Sequence, residues 1–242
     1  MDDPVITVDG VSMMFNLSRD KVMGLKEYVV KALQKQLYYD EFWALTDISF
    51  EVHKGEVLGI LGLNGSGKST LLKLIAGVFK PTKGSVIVRG EIAPLLELGT
   101  GFDPEFSAKD NVYMNGAMFG HSPSYMEDIY EEIMDFAELW EFEDVPMKNF
   151  SSGMMARLGF AVATNVNPDV LILDEILGVG DYLFAEKCEK RIADMLSKGA
   201  TVLMVSHNVG AINDMCNRAL LLEKGKMVCV GTVDEVTKVY QQ

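Results

Sequence analysis

The sequence predicts an α/β protein: a parallel sheet flanked by helices, with an antiparallel β lobe near the N-terminus and an inserted helical subdomain. Three observations predict it. Short apolar runs, VLGIL (57–61), VLILD (170–174) and TVLMVSH (201–207), alternate with helical stretches, as buried parallel strands joined by helices do. Ahead of them, ITVDGVSMMF and FWALTDISFEV are rich in β-branched and aromatic residues and close on the turn HKGE, which suits a separate antiparallel lobe. From about Asp103 to Asn149 the texture becomes helical and interrupts the core.

Composition bounds the class. The 242 residues are 48 % apolar and 24 % charged, enough for one substantial folded domain, and we read residues 1–242 as a single unit. No apolar run reaches the length of a membrane span, and MDDPVITVDG has neither the basic nor the apolar part of a signal peptide, so a cytoplasmic location is expected. A net charge of −13 argues against nucleic acid as a partner, because polyanions are repelled at long range. Cys188, Cys216 and Cys229 are odd in number and form no CxxC pattern, so neither a disulfide frame nor a zinc site is expected.

Taken in order, the first two strands are separated by RDKVMGLKEYVVKALQKQL, within residues 19–38, which puts Val22, Leu25, Val29, Leu33 and Leu37 on one helical face and Lys21, Lys31 and Lys35 on the other. This basic amphipathic helix either packs its apolar face on the core or meets a membrane interface or an anionic lipid-linked substrate.

The stretch GLNGSGKST then satisfies GxxxxGK[ST] through Gly62, Gly67, Lys68 and Ser69, between the strand VLGIL and the helix STLLKLIAGV. Glycines let the backbone N–H groups around Asn64, Gly65, Ser66 and Gly67 turn inward on phosphates, and the helix start at Ser69 and Thr70 adds partial positive charge. Lys68 would reach the β and γ phosphates, and Ser69 would ligate Mg²⁺. The core is therefore of the P-loop nucleoside-triphosphatase type, with a nucleoside triphosphate and Mg²⁺ expected.

In the helical region, SYMEDIYEEIMDFAEL has Ser124 three residues before Glu127, which predicts a capping box there. FSSGMMARLGF follows, a helix start suited to an anion but without a lysine of its own. VLILDE ends in two carboxylates that a strand sends to opposite faces: Asp174 to hold Mg²⁺, Glu175 to polarise the attacking water as general base. His207, at the end of the next apolar strand, is a candidate donor to phosphate and water.

With FSSGM (150–154) upstream of LDE, the set resembles the nucleotide-binding subunit of ATP-binding cassette (ABC) transporters over nearly the whole chain. Phe150, Ser151, Ser152, Gly153 and Met154 stand where that family has LSGGQ. The resemblance implies the ABC ATPase fold and head-to-tail pairing of two subunits, each ATP held between one phosphate loop and the partner's signature helix at Ser151, Ser152 and Gly153. It implies that Asp181 in LGVGD serves as the aspartate near the dimer seam. It also places Glu97 and Leu98 where the family has a glutamine that contacts metal or water, with Glu97 the candidate metal contact. An aromatic residue should stack on the adenine; alignment from the N-terminus nominates Phe15, and counting back from Gly62 nominates Tyr39.

The 19–38 insertion together with FWALTDISFEV, LLELGTGFDPEFSAKDN, FSSGMMARLGFAVAT and LDEILGVGD is similar to the ATPases that export cell-surface polysaccharides, O-antigen or teichoic acid precursors. That implies a polytopic transmembrane permease as partner, a lipid-linked glycan or polyol phosphate as substrate, and a peripheral place on the cytoplasmic face of the membrane. Some relatives carry a further sugar-binding domain; with Gln242 soon after GKMVCVGT, none is expected here. The rival readings are a soluble cassette ATPase acting on ribosomes or nucleic acid, and a nucleotide-gated interaction module.

Overall fold

The computed structural model describes residues 3–18, 39–95, 101–166, 168–174, 182–206 and 209–241. The amphipathic insertion at 19–38 and the candidates Glu97, Glu175, Asp181 and His207 lie outside the described residues, as do the side chains of Tyr39 and Asp174.

Strands β1 (Ile6–Ser18) and β2 (Tyr39–Val52) pair antiparallel, with Phe15 directly opposite Phe42. In β2, buried Ile48, Phe50 and Val52 alternate with exposed Asp47, Ser49 and Glu51, the pattern of a sheet wet on one face. Strand β3 (Val57–Leu61) begins the large sheet, and β4 (Lys83–Val88) returns to the other edge of β1, completing a three-stranded lobe β2-β1-β4.

The large sheet adds β5 (Ile92–Leu95), β6 (Val170–Asp174), β7 (Thr201–Val205), β8 (Arg218–Glu223) and β9 (Lys226–Thr232) in the order β5-β6-β7-β3-β8-β9. All pairs are parallel except β8–β9. Every residue of β3 and β7 is buried, because helices or the β lobe cover both faces. Asp174 pairs with Val205, and Val205 with Ile60, so the C-terminal ends of β6, β7 and β3 share one edge. Ligands of open α/β sheets bind at such an edge.

Helix α1 (Lys68–Ile75) follows β3. The helical subdomain contains α2 (Ala108–Met118) and α3 (Pro123–Ala137), short 3₁₀ turns at Trp140–Phe142 and Met147–Asn149, and α4 (Ser152–Asn165), which returns to the core. Helices α5 (Tyr182–Ser197), α6 (Val209–Met215) and α7 (Val233–Tyr240) complete the described elements.

The cap of α3 corrects the sequence expectation. Ser122, not Ser124, accepts the N–H of Tyr125, and Pro123 occupies the first turn. Proline's fixed φ and missing N–H suit that position, which moves the cap one residue ahead of it and leaves Ser124 already helical. A true capping box stands instead at the start of α2, where Ser107 and Asp110 exchange hydrogen bonds.

Two apolar cores flank the large sheet. One lies between it and the β lobe, with Ile6, Leu45, Ile48, Ile60, Leu71 and Leu220 fully buried. The other joins α3, α4 and α5 through the rings of Phe136, Phe160 and Phe184, whose centroids are 5.7 to 6.3 Å apart.

Candidate functional site

The loop after β3 reverses into α1 at Gly67, whose φ of 105° lies in the left-handed region. A Cβ there would also come within 2.8 Å of the Ala44 carbonyl oxygen, so backbone conformation and space both require glycine. Gly67 is the N-cap of α1 and supplies no side-chain cap, and the first turn holds no acidic residue. The first N–H groups of α1 thus have no side-chain acceptor there, and the helix start is free to face an anion.

A cavity of about 400 Å³ opens over this loop, lined by Phe42, Ala44, Asn64, Gly65, Gly67, Lys68, Ser69 and Thr70. Lys68 is 8 % exposed, and its Nζ donates to the carbonyl oxygens of Gly62 (2.6 Å) and Leu63 (3.0 Å). Those two carbonyls hold a cation against the loop, where an entering phosphate would meet it. Within the loop Ser66 is buried, its Oγ without a hydrogen-bond partner among the described residues. A helix N-terminus without an acidic cap and one buried ammonium make a polyphosphate cradle in an otherwise acidic chain.

Among the described residues, the aromatic ring that lines this cavity is Phe42, 49 % exposed. The sequence reading did not nominate it. Phe15, its cross-strand neighbour, packs edge-on against Phe79 at 5.8 Å. The missing signal is the β1–β2 register, which pairs residues across an insertion and cannot be counted along the chain.

Ser151 caps α4, its Oγ accepting the N–H of Met154 at 3.2 Å, which leaves the hydroxyl proton available to an outside acceptor. Ser151 and Ser152 are exposed, Gly153 is half-buried, and none of the three lines the cavity over the phosphate loop. One chain therefore carries two separate anion-facing helix starts. Asp174 ends β6 two strands from β3, at the edge where the phosphate loop begins.

An ionic and aromatic clamp fixes α4 to its neighbours. Glu138, at the C-terminal end of α3, accepts from Arg157 on α4 (3.0 Å) and from Lys187 on α5 (3.0 Å). Lys187 also donates to the carbonyls of Asp135 (3.3 Å) and Phe136 (2.9 Å), while Arg191 pairs with Glu132 at 2.8 Å. Arg157 lies over the Phe184 ring, and Lys187 and Arg191 over the Phe136 ring.

The Lys187 hydrogen bond, helped by Arg157 and opposed by desolvation, holds the Glu138 carboxyl below the ordinary carboxylate value. A lowered folded-state pKa means stabilisation that is present above the unfolded value and lost as pH falls through the folded one. Glu138→Gln should therefore lower stability at neutral pH by about 0.5–1 kcal/mol, since the carboxylate is largely exposed and screened. Thermal unfolding across pH should show the wild-type advantage vanish in acid.

The family described as ABC transporter matches residues 45–178. A protein named "ABC transporter protein AbcA" from Aeromonas salmonicida is 44 % identical over 242 residues, covering 100 % of this chain and 77 % of that protein. An "O-antigen export system ATP-binding protein RfbB" from Klebsiella pneumoniae is 41 % identical, with 99 % of this chain and 98 % of that one aligned. A "Teichoic acids export ATP-binding protein TagH" from Listeria monocytogenes is 37 % identical, with coverages of 95 % and 66 %. A solved structure of the ATP-binding subunit of an ABC transporter superposes with a TM-score of 0.77 at 21 % identity, covering 98 % of this chain and 93 % of that one, and so shares the fold. The chain belongs to the ABC transporter family and is an ATP-binding, ATP-hydrolysing subunit of the kind found among O-antigen and teichoic acid export systems.

Proposed function

We propose that two copies of this chain pair head to tail around two ATP molecules and power export of a lipid-linked cell-surface polysaccharide or teichoic acid through a separate transmembrane permease. The observation that carries the pairing is the separation of the two helix starts: the α1 cradle has Lys68 but no signature serines, and α4 has Ser151 and Gly153 but no lysine. Each supplies what the other lacks only across an interface. ATP then joins the subunits while its γ-phosphate lasts, and hydrolysis releases them.

In this reading Asn64 to Thr70 cradle the phosphates and Phe42, opposite Phe15 on β1, offers the face for adenine. The hydroxyl of Ser69 on the cavity and the carboxylate at Asp174 are hard oxygen donors of the type Mg²⁺ prefers, with phosphates and water completing its shell. Bound Mg²⁺ would neutralise charge on the β and γ phosphates. Glu175 orients and deprotonates the attacking water, His207 donates to phosphate, Asp181 stands near the seam, and Glu97 takes the place of the family glutamine.

The names of relatives aligned over 95 % or more of this chain support the exported class. Among the described residues no helix is long and apolar enough to cross a membrane, in keeping with a peripheral subunit that needs a permease. The test is to purify a tagged Glu175→Gln protein with ATP from native membranes and identify bound proteins and lipids by mass spectrometry. A polytopic membrane protein together with a lipid-linked glycan or polyol phosphate is expected. Recovery of ribosomal proteins or nucleic acid instead would move the chain to the soluble cassette ATPases.

A further inference from the structure

The turn between β8 and β9 touches the site from behind. Gly225 donates its N–H to the carbonyl of Ser66 in the phosphate loop (2.9 Å), and its own carbonyl accepts the N–H of Thr46 on β2 (2.7 Å). Its φ of 76° is left-handed, and a Cβ there would lie 2.5 Å from the Ala44 carbonyl oxygen and 3.0 Å from its carbon. A Cβ on Gly67 would meet that same oxygen at 2.8 Å, so the Ala44 carbonyl is wedged between two glycines, one in the loop and one in the turn. Ala44 and Phe42 lie two residues apart on β2, across a register shift, and both line the cavity.

We propose that Gly225 is a positioning residue for the nucleotide: it ties β2, with Phe42, to the phosphate loop, and so fixes the distance between the adenine face and the phosphate cradle. Gly225 does not line the cavity; it acts through Ser66, Thr46 and Ala44. A methyl group at position 225 must push Ala44 away by roughly 0.5–1 Å, a displacement large enough to spoil the placement of a bound group. The proposal rests on the reading of the cavity as the nucleotide site with Phe42 as its base platform.

The test is a double-mutant cycle on the full chain, with ATP and inorganic triphosphate binding measured in EDTA. Phe42→Ala should weaken ATP about tenfold, as loss of base stacking does, and leave triphosphate unchanged. Gly225→Ala should weaken ATP to a similar extent and triphosphate by less than about threefold, and adding Phe42→Ala to it should cost little more, because the platform is already displaced. Additive losses in the double variant overturn the role of Gly225 alone. No effect of Phe42→Ala overturns the base platform, and the proposal with it.

Should Gly225→Ala fail to fold, amide exchange on the unaltered chain decides the matter. Triphosphate touches only the loop, yet through Gly225 it should slow exchange of the Thr46 amide on β2. Unchanged exchange at Thr46 when triphosphate is bound would overturn the tie.

Discussion

Glu175→Gln should stop turnover while ATP still binds, so that in saturating ATP and Mg²⁺ the protein should run as a dimer, and in ADP as a monomer. The carboxylate that follows the end of β6 is the base in the proposed mechanism, and removing a general base costs about 10²- to 10⁴-fold in rate. Glutamine keeps the size and the hydrogen bonding but cannot take the proton, so the ATP sandwich forms and is not consumed. Steady-state phosphate release and size-exclusion chromatography with each nucleotide read the two halves separately. Loss of hydrolysis with a monomer in ATP would leave Glu175 catalytic but would sink the head-to-tail sandwich. Full hydrolysis would remove Glu175 from the base role altogether.

The parts of the fold legible in the sequence are those with local causes. Uninterrupted apolar runs in β3, β6 and β7 follow from burial on both faces, and the loop Gly62 to Ser69 is legible because glycine spacing and a lysine at a helix start have few other uses. Strand β4, mostly exposed and read on its own as KGSVIV, gives no comparable signal; it is a strand because β1 has an edge to pair. Phe42 illustrates the limit in the site. Along the chain it is one of several aromatics near the phosphate loop, and only the antiparallel register that sets it opposite Phe15 brings it over the cavity. Gly225 is illegible for the same reason, since its contacts to Ser66 and Thr46 span most of the chain. Ser122 was missed for a local reason: proline at the first helical position moves the cap ahead of it.

Lys68→Ala should remove function at the other end of the same reaction, in both binding and rate. The ammonium is now held by the carbonyls of Gly62 and Leu63 at 2.6 and 3.0 Å, so it is in place before a phosphate arrives and needs only to exchange acceptors. A charge-assisted hydrogen bond of this kind is worth about 1.5–3 kcal/mol, which predicts ATP affinity falling roughly 10- to 100-fold. Charge that builds on the phosphate oxygens during transfer makes the loss in rate larger, about 10²- to 10³-fold, the cost of deleting one preorganised donor. Lys68→Arg should not rescue it, because a planar fork does not fit where a compact ammonium, 8 % exposed, is enclosed by the loop. The measurement is nucleotide affinity beside single-turnover hydrolysis for Lys68→Ala and Lys68→Arg, with unfolding of the nucleotide-free proteins as the reference. Removal of the lysine also leaves two carbonyls without their donor, so some loss of stability is expected without nucleotide. If hydrolysis falls only in proportion to that lost stability, Lys68 serves the loop and not the phosphate; a rate loss beyond it assigns the ammonium to the reacting γ-phosphate.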